Sequence, residues 1–68
     1  MKEITIRGDY IKLEQLLKIV NIVSSGGEAK IFLSQEKVYV NSELDQRRGR
    51  KLYKGDEIKI LNQTYKIC

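Results

Sequence analysis

The sequence holds 68 residues, with 13 Lys+Arg against 9 Asp+Glu, no His, Pro or Trp and one Cys, for a formal net charge of +4. Residues 1–68 are therefore expected to form a single domain, one that buries only about 60% of the surface its unfolded chain exposes and has no material for a deep substrate cavity. With 41% hydrophobic and 32% charged residues the composition is that of a folded domain, no apolar run is long enough to cross a bilayer, and no secretory signal opens the chain, so the expected location is the cytoplasm.

Residues 2–7 alternate, with Ile4 and Ile6 on one face, which predicts a short strand ended by Gly8-Asp9. From Lys12 to Val23 the apolar residues Leu13, Leu16, Leu17, Val20 and Val23 recur at spacings of three and four, the stripe of an amphipathic helix. Ser24-Ser25-Gly26-Gly27 interrupts that stripe. Ser25 and Glu28 then have the spacing of a capping box, ahead of Ala29, Phe32 and Leu33, so a second helix is predicted from about Gly26 to about Gln35. After Glu36 the period drops to two: Val38 and Val40 point inward and Tyr39 outward in a strand over Lys37–Asn41, and Asn41-Ser42-Glu43 turns the chain. The stretch Glu43–Gly49 is too polar for a core strand. Leu52-Tyr53 leads into a Lys54-Gly55-Asp56 turn, Glu57–Leu61 alternates through Ile58 and Ile60, Asn62-Gln63 is a hairpin candidate, and Thr64–Cys68 returns with Tyr65 and Ile67 on one face. The expected fold class is α+β, two helices packed on a small, mostly antiparallel sheet.

Arg47, Arg48, Arg50, Lys51 and Lys54 place five of the 13 basic residues within eight positions, with no acid among them. The rest of the chain is close to neutral, so the net charge of the molecule resides in this segment. Five like charges this close repel one another unless something negative neutralises them. Three of the five are Arg, whose planar fork contacts phosphate bidentately and stacks on bases, so a polyphosphate such as RNA is the natural counterpart. The alternative is a solubilising loop whose bases are already paired with Asp45, Asp56 and Glu57.

A weaker signal lies at the second helix, where Ser25, two glycines and Lys30 could receive a phosphate at the free N–H groups of the helix start. Ser25 could equally serve only as the cap, and Lys12, at the start of the first helix, could contact a phosphate or simply face solvent. Among Tyr10, Tyr39, Tyr53 and Tyr65, Tyr39 is the preferred stacking candidate because alternation takes it off the Val38/Val40 face, and Tyr65 is assigned to the rim of the core. The lone Cys68 cannot pair within the chain, and without His no zinc ligand set is available, so neither metal nor cofactor is expected. No nucleophile elbow, Walker loop or His-centred triad is present, which argues against an enzyme.

The run from Lys12 to Asn41 resembles the RNA-binding domain named after ribosomal small-subunit protein four, also called the alpha-L RNA-binding motif. That family reads Arg-Leu-Asp, a paired Leu or Phe-Leu, Ser-Arg-x-x-Ala-Arg, an apolar residue, a Gly, and Val-x-Val-Asn-Gly. Here the matching residues are Lys12-Leu13-Glu14, Leu16-Leu17, Ser25-Gly26-Gly27-Glu28-Ala29-Lys30, Leu33, Glu36 and Val38-Tyr39-Val40-Asn41-Ser42, with Gly55-Asp56, Ile58 and Ile60 similar to the closing strand. The segment Arg47-Arg48-Gly49-Arg50-Lys51 makes the chain look most like the small stand-alone, YaaA-like members. The resemblance implies two helices packed on a small, mostly antiparallel sheet, with structured RNA, rRNA or tRNA, bound by the face of the second helix and adjacent loops, in ribosome assembly or translation; the chain is further expected to be a monomer. Gly26 stands where the family has an Arg, and Glu36 and Ser42 where it has Gly, which shifts the expected contacts towards the basic loop. The expected RNA-binding residues are Lys12, Ser25, Lys30, Arg47, Arg48, Arg50, Lys51 and Lys54. The alternative function is an adaptor that docks the same loop on an acidic protein partner.

Overall fold

A computed structural model describes residues 1–68. The chain runs β1 (Lys2–Ile4), β2 (Tyr10–Lys12), α1 (Leu13–Ile19), α2 (Gly26–Gln35), β3 (Val38–Val40), β4 (Glu43–Leu44), β5 (Lys51–Tyr53), β6 (Glu57–Ile60) and β7 (Gln63–Ile67). Five strands form one sheet in the order β1-β7-β6-β3-β4, antiparallel except for the parallel β1–β7 edge, and β2 and β5 form a separate two-stranded ribbon. Both helices pack on one face of the larger sheet. The core between them comprises Leu13, Leu16 and Leu17 of α1, Ala29 and Leu33 of α2, Val38, Val40, Ile58, Ile60, Tyr65 and Ile67 of the sheet, and Leu52 of the ribbon.

The predicted α+β class is the observed one, and α2 occupies the predicted span. Helix α1 is shorter than its apolar stripe. It stops at Ile19 because Asn21 adopts a left-handed conformation (φ +62°), with the Asn21 N–H donating to the Lys18 carbonyl and the Ile22 N–H to the Leu17 carbonyl. That bond pair is a Schellman closure. Val20, Ile22 and Val23 still reach the core from the non-helical connection, which is why the periodicity outlasts the helix. The first predicted strand likewise shortens to Lys2–Ile4, while Ile6 stays buried through a bond from its N–H to the Cys68 carbonyl at 2.9 Å.

Two hairpins also differ in detail from expectation. The β3–β4 turn contains only Asn41 and Ser42, both left-handed (φ +50° and +72°), so Glu43 belongs to a short edge strand and not to the turn. In β6–β7 the turn residues are Leu61 and Asn62, one position earlier than the Asn62-Gln63 pair, with Leu61 at φ +57°. Both registers would put Ile58, Ile60, Tyr65 and Ile67 on one face, so alternation does not choose between them. The bonds at the open end of the hairpin do: the Gly55 N–H donates to the Ile67 carbonyl at 2.7 Å and the Ile67 N–H to the Asp56 carbonyl at 2.9 Å.

Strand β2 has no counterpart among the predicted elements. Three residues between a Gly-Asp bend and a helix are too few to show a period, yet Tyr10-Ile11-Lys12 is the reverse of the pattern Lys51-Leu52-Tyr53. Antiparallel pairing places Tyr10 opposite Tyr53, Ile11 opposite Leu52 and Lys12 opposite Lys51. Leu52, fully buried, fastens this ribbon to the core. Leu52→Ala is expected to lower the unfolding free energy in denaturant titration by about 2–5 kcal/mol, whereas Ile31→Ala, on the exposed side of α2, changes it by less than about 0.5 kcal/mol.

Candidate nucleic-acid interface

The basic segment begins at a buried acid. The β3–β4 hairpin delivers Asp45, whose N–H extends the ladder to the Val38 carbonyl at 2.9 Å and whose side chain is only 8% exposed. Its Oδ1 accepts from the Arg47 backbone N–H (3.1 Å) and from Arg47 Nε (3.0 Å). Oδ2 accepts from Arg47 Nη2 (2.7 Å) and Arg50 Nη1 (2.8 Å). The Arg47 side chain remains 73% exposed and that of Arg50 31%. The hydrogen bonds from the Arg47 guanidinium hold the Asp45 carboxyl well below the usual carboxylate range, against the opposing effect of burial and with help from the Arg47 N–H and Arg50. The same contact raises Arg47 above its ordinary value.

From this anchor the chain crosses the ends of both helices and closes them. Gln46 Nε2 donates to the Leu33 and Glu36 carbonyls (2.8 and 3.1 Å) at the C-terminal end of α2. A turn from Arg47 to Arg50, closed by the Arg50 N–H to the Arg47 carbonyl, carries Arg48 and Gly49 at its tip. The carbonyls of Arg50 and Arg48 then accept from the N–H groups of Leu13 (2.8 Å) and Glu14 (3.1 Å), and the Lys12 N–H donates to Gln15 Oε1 at 2.8 Å. The first turn of α1, which would otherwise leave its donors without partners, is thus capped by the backbone of the basic segment. Of the acids named as possible partners of the basic segment, Asp45 alone pairs with it; its role as a buried anchor, and Gln46 altogether, escape the sequence, because an acid and an amide before a run of arginines gain that meaning only when the segment folds over the helices.

One carboxylate serves two guanidiniums, and these are the only ion pairs in the protein. Asp56 is occupied elsewhere, accepting from Asn41 Nδ2 (3.0 Å) and the Tyr53 N–H (2.8 Å), and Glu57 makes no ion pair. The stretch Asp45–Lys54 therefore carries five bases against one acid, an excess equal to the formal net charge of the whole chain, +4. Compensation by Asp45 is real but partial, and it does not draw the segment away from the second helix, since Arg48 Nη1 lies 3.4 Å from the Gly26 carbonyl.

The expected site residues divide accordingly. Lys12, Arg48, Arg50 and Lys51 are brought together where the segment meets the start of α1 and the ribbon, and Lys54 is exposed in the turn between β5 and β6. Ser25 caps α2, its Oγ accepting from the Glu28 N–H at 3.2 Å. The return arm of the expected box goes one residue further back, because Glu28 Oε1 accepts from the Ser24 N–H at 2.7 Å and from the Ser24 hydroxyl. Those bonds, the hydroxyl's foremost, hold Glu28 below its usual value. A Cβ on Gly26 would stand 3.9 Å from Glu14 Oε2, so two carboxylates flank the opening of α2. Lys30 is exposed on that helix. Tyr39 lies level with Lys59 and Thr64 on the face of the sheet turned away from the helices. The exposed aromatics on the ribbon are instead Tyr10 and Tyr53.

Two short helices on a mixed sheet, strapped together by a charged segment ordered around a buried acid, define a small α+β domain with one electropositive edge. The chain belongs to the S4 domain family, whose model matches residues 4–68. It is 53% identical over 57 residues to a protein of Bacillus subtilis (strain 168) named Probable ribosome maturation protein RlbA, a match that covers 84% of this chain and 80% of that one. The resemblance carried by the Lys12–Asn41 motifs is thus a family membership.

Asp45 also sets a pH dependence. A carboxyl whose folded-state value is depressed stabilises the fold fully above its unfolded value of about 3.9 and loses that contribution as pH falls towards the depressed value. Asp45→Asn is therefore expected to be less stable than the parent at pH 7, with the gap closing below about pH 4; thermal melts of the two proteins across this range provide the check.

Proposed function

We propose that this protein is a non-enzymatic, monomeric RNA-binding domain that recognises structured RNA, rRNA or tRNA, and acts in ribosome maturation. The observation that carries the reading is the excess of positive charge held in an ordered segment with a single compensating carboxylate. Its ordering matters as much as its sign, because side chains already fixed by hydrogen bonds lose less freedom when a ligand binds. Arg48 at the turn tip, Lys51 and Lys54 contact phosphates, Arg47 and Arg50 use the donors that Asp45 leaves free, and Lys12, Ser25 and Lys30 border the site. Contacts of this type place an RNA backbone without naming its bases. The named function of the Bacillus subtilis relative supports the ribosomal setting.

Titration of labelled rRNA stem-loops and tRNA at several salt concentrations tests the proposal. Neutralising about four phosphates gives a log K against log salt slope of roughly −3 to −4, and Arg48→Ala or Lys54→Ala each reduces its magnitude by about one. These two side chains are the clean targets, since Arg47 and Arg50 also hold the segment to Asp45. A flat salt dependence overturns the reading, and association with ribosomes that survives nuclease treatment points instead to an adaptor docked on an acidic protein.

A further inference from the structure

The β2–β5 ribbon turns an unusual face to solvent. Ile11 and Leu52 point to the core, which leaves Tyr10 beside Tyr53 and Lys12 beside Lys51 on the outside. The rings are 40% and 48% exposed, their centroids 5.7 Å apart and inclined at 51°. Lysines directly opposite each other on one face of an antiparallel pair repel. Neither has a carboxylate partner. Lys51 instead directs its Nζ over the Tyr10 ring, 4.9 Å from the centroid, a contact that positions the ammonium without neutralising it. The acids nearest in sequence do not serve these lysines: Asp9 makes no ion pair, and Asp56 is engaged with Asn41 and the Tyr53 N–H.

Two exposed aromatic rings next to two uncompensated ammonium groups match the two halves of a nucleotide, a flat π-face and an anion. We propose that the outer face of this ribbon binds one unpaired nucleotide, its base stacked on the Tyr10–Tyr53 pair and its phosphate between Lys12 and Lys51. This site deepens the RNA-binding reading and rests on it. Lys51 directly follows Arg50, so an RNA backbone leaving the basic turn runs onto the ribbon without a break. The strands set the spacing: residues two apart are separated by about 6.8 Å along a strand, which keeps the rings and the ammonium groups adjacent but distinct. The ribbon thereby selects a junction, where a helical stem held by the basic turn gives way to a single strand whose bases are free to stack.

The experiment compares two RNA probes of equal charge, a stem-loop with a four-adenosine single-stranded tail and the same stem with an abasic tail. The adenosine tail is expected to bind about tenfold more tightly, in line with the stacking of one base on an aromatic side chain. Tyr10→Ala and Tyr53→Ala abolish that advantage and keep the salt slope, whereas Tyr10→Phe and Tyr53→Phe preserve it. Lys12→Gln and Lys51→Gln each lower the magnitude of the slope by about one. Unchanged melting temperatures for the tyrosine variants exclude a folding defect, and if the Ala variants melt early the Phe pair and the abasic tail still decide. Equal affinity for the two tails, with salt-dependent binding intact, overturns the nucleotide site and leaves the RNA-binding reading standing. Failure to bind either probe at any salt overturns both. Poly-glutamate bound as tightly as the adenosine-tailed RNA marks the face as a protein-docking surface and likewise overturns the site.

Discussion

The buried carboxylate of Asp45 is the interaction on which the basic edge of this protein depends. It accepts two hydrogen bonds from the Arg47 guanidinium, one from the Arg47 N–H and one from Arg50, and in doing so converts the six residues Asp45–Arg50 into a strap. The strap then closes the C-terminal end of α2 through Gln46 and the N-terminal end of α1 through the carbonyls of Arg48 and Arg50. Without it the first turn of α1 would have to find other acceptors, since Lys12 at the cap position has no side-chain oxygen to offer. The segment that carries the charge is thus also part of the framework.

That double role resolves an apparent conflict between charge and stability. A carboxylate buried beside five bases would serve only structure if it neutralised most of them. It neutralises one, and the geometry leaves Arg47 largely in water. What remains is an excess of positive charge on a segment whose backbone is fixed by hydrogen bonds to both helices. Lys12, Arg48, Arg50 and Lys51 gather where the strap meets the ribbon, while Glu14 and Glu28 flank the opening of α2. The surface therefore presents a directional edge and not a uniformly basic coat.

The small core shapes this arrangement as well. In a chain of 68 residues no element is stable alone, and the ribbon and the β3–β4 hairpin each serve both the core and the surface. Leu52 and Ile11 anchor the ribbon inward while the alternate residues of the same two strands present tyrosines and lysines outward. The β3–β4 hairpin buries Val38 and Val40 and also delivers Asp45 to its partners. The exposed basic and aromatic side chains of this edge stand on strands and a bonded turn, whose backbone is fixed more tightly than that of a free loop.

The amino-acid sequence by itself determined the class of fold, the bounds of α2, the inward faces of β3, β6 and β7, the location of the charge and, through the Lys12–Asn41 motifs, the family. Each of these is encoded by residues a few positions apart: a capping serine, a period of two or near four, a run of arginines. Tertiary structure alone decided where α1 stops, because Val20, Ile22 and Val23 stay apolar beyond the left-handed Asn21. It also chose the β6–β7 register between two that alternation leaves equal, and it made a strand of Tyr10–Lys12 by pairing it with residues some forty positions away. Asp45 belongs to this second group: two to five residues from its arginine partners, it becomes an anchor only when folding removes it from water, since a carboxylate in solvent gains little from a nearby guanidinium and a buried one depends on it.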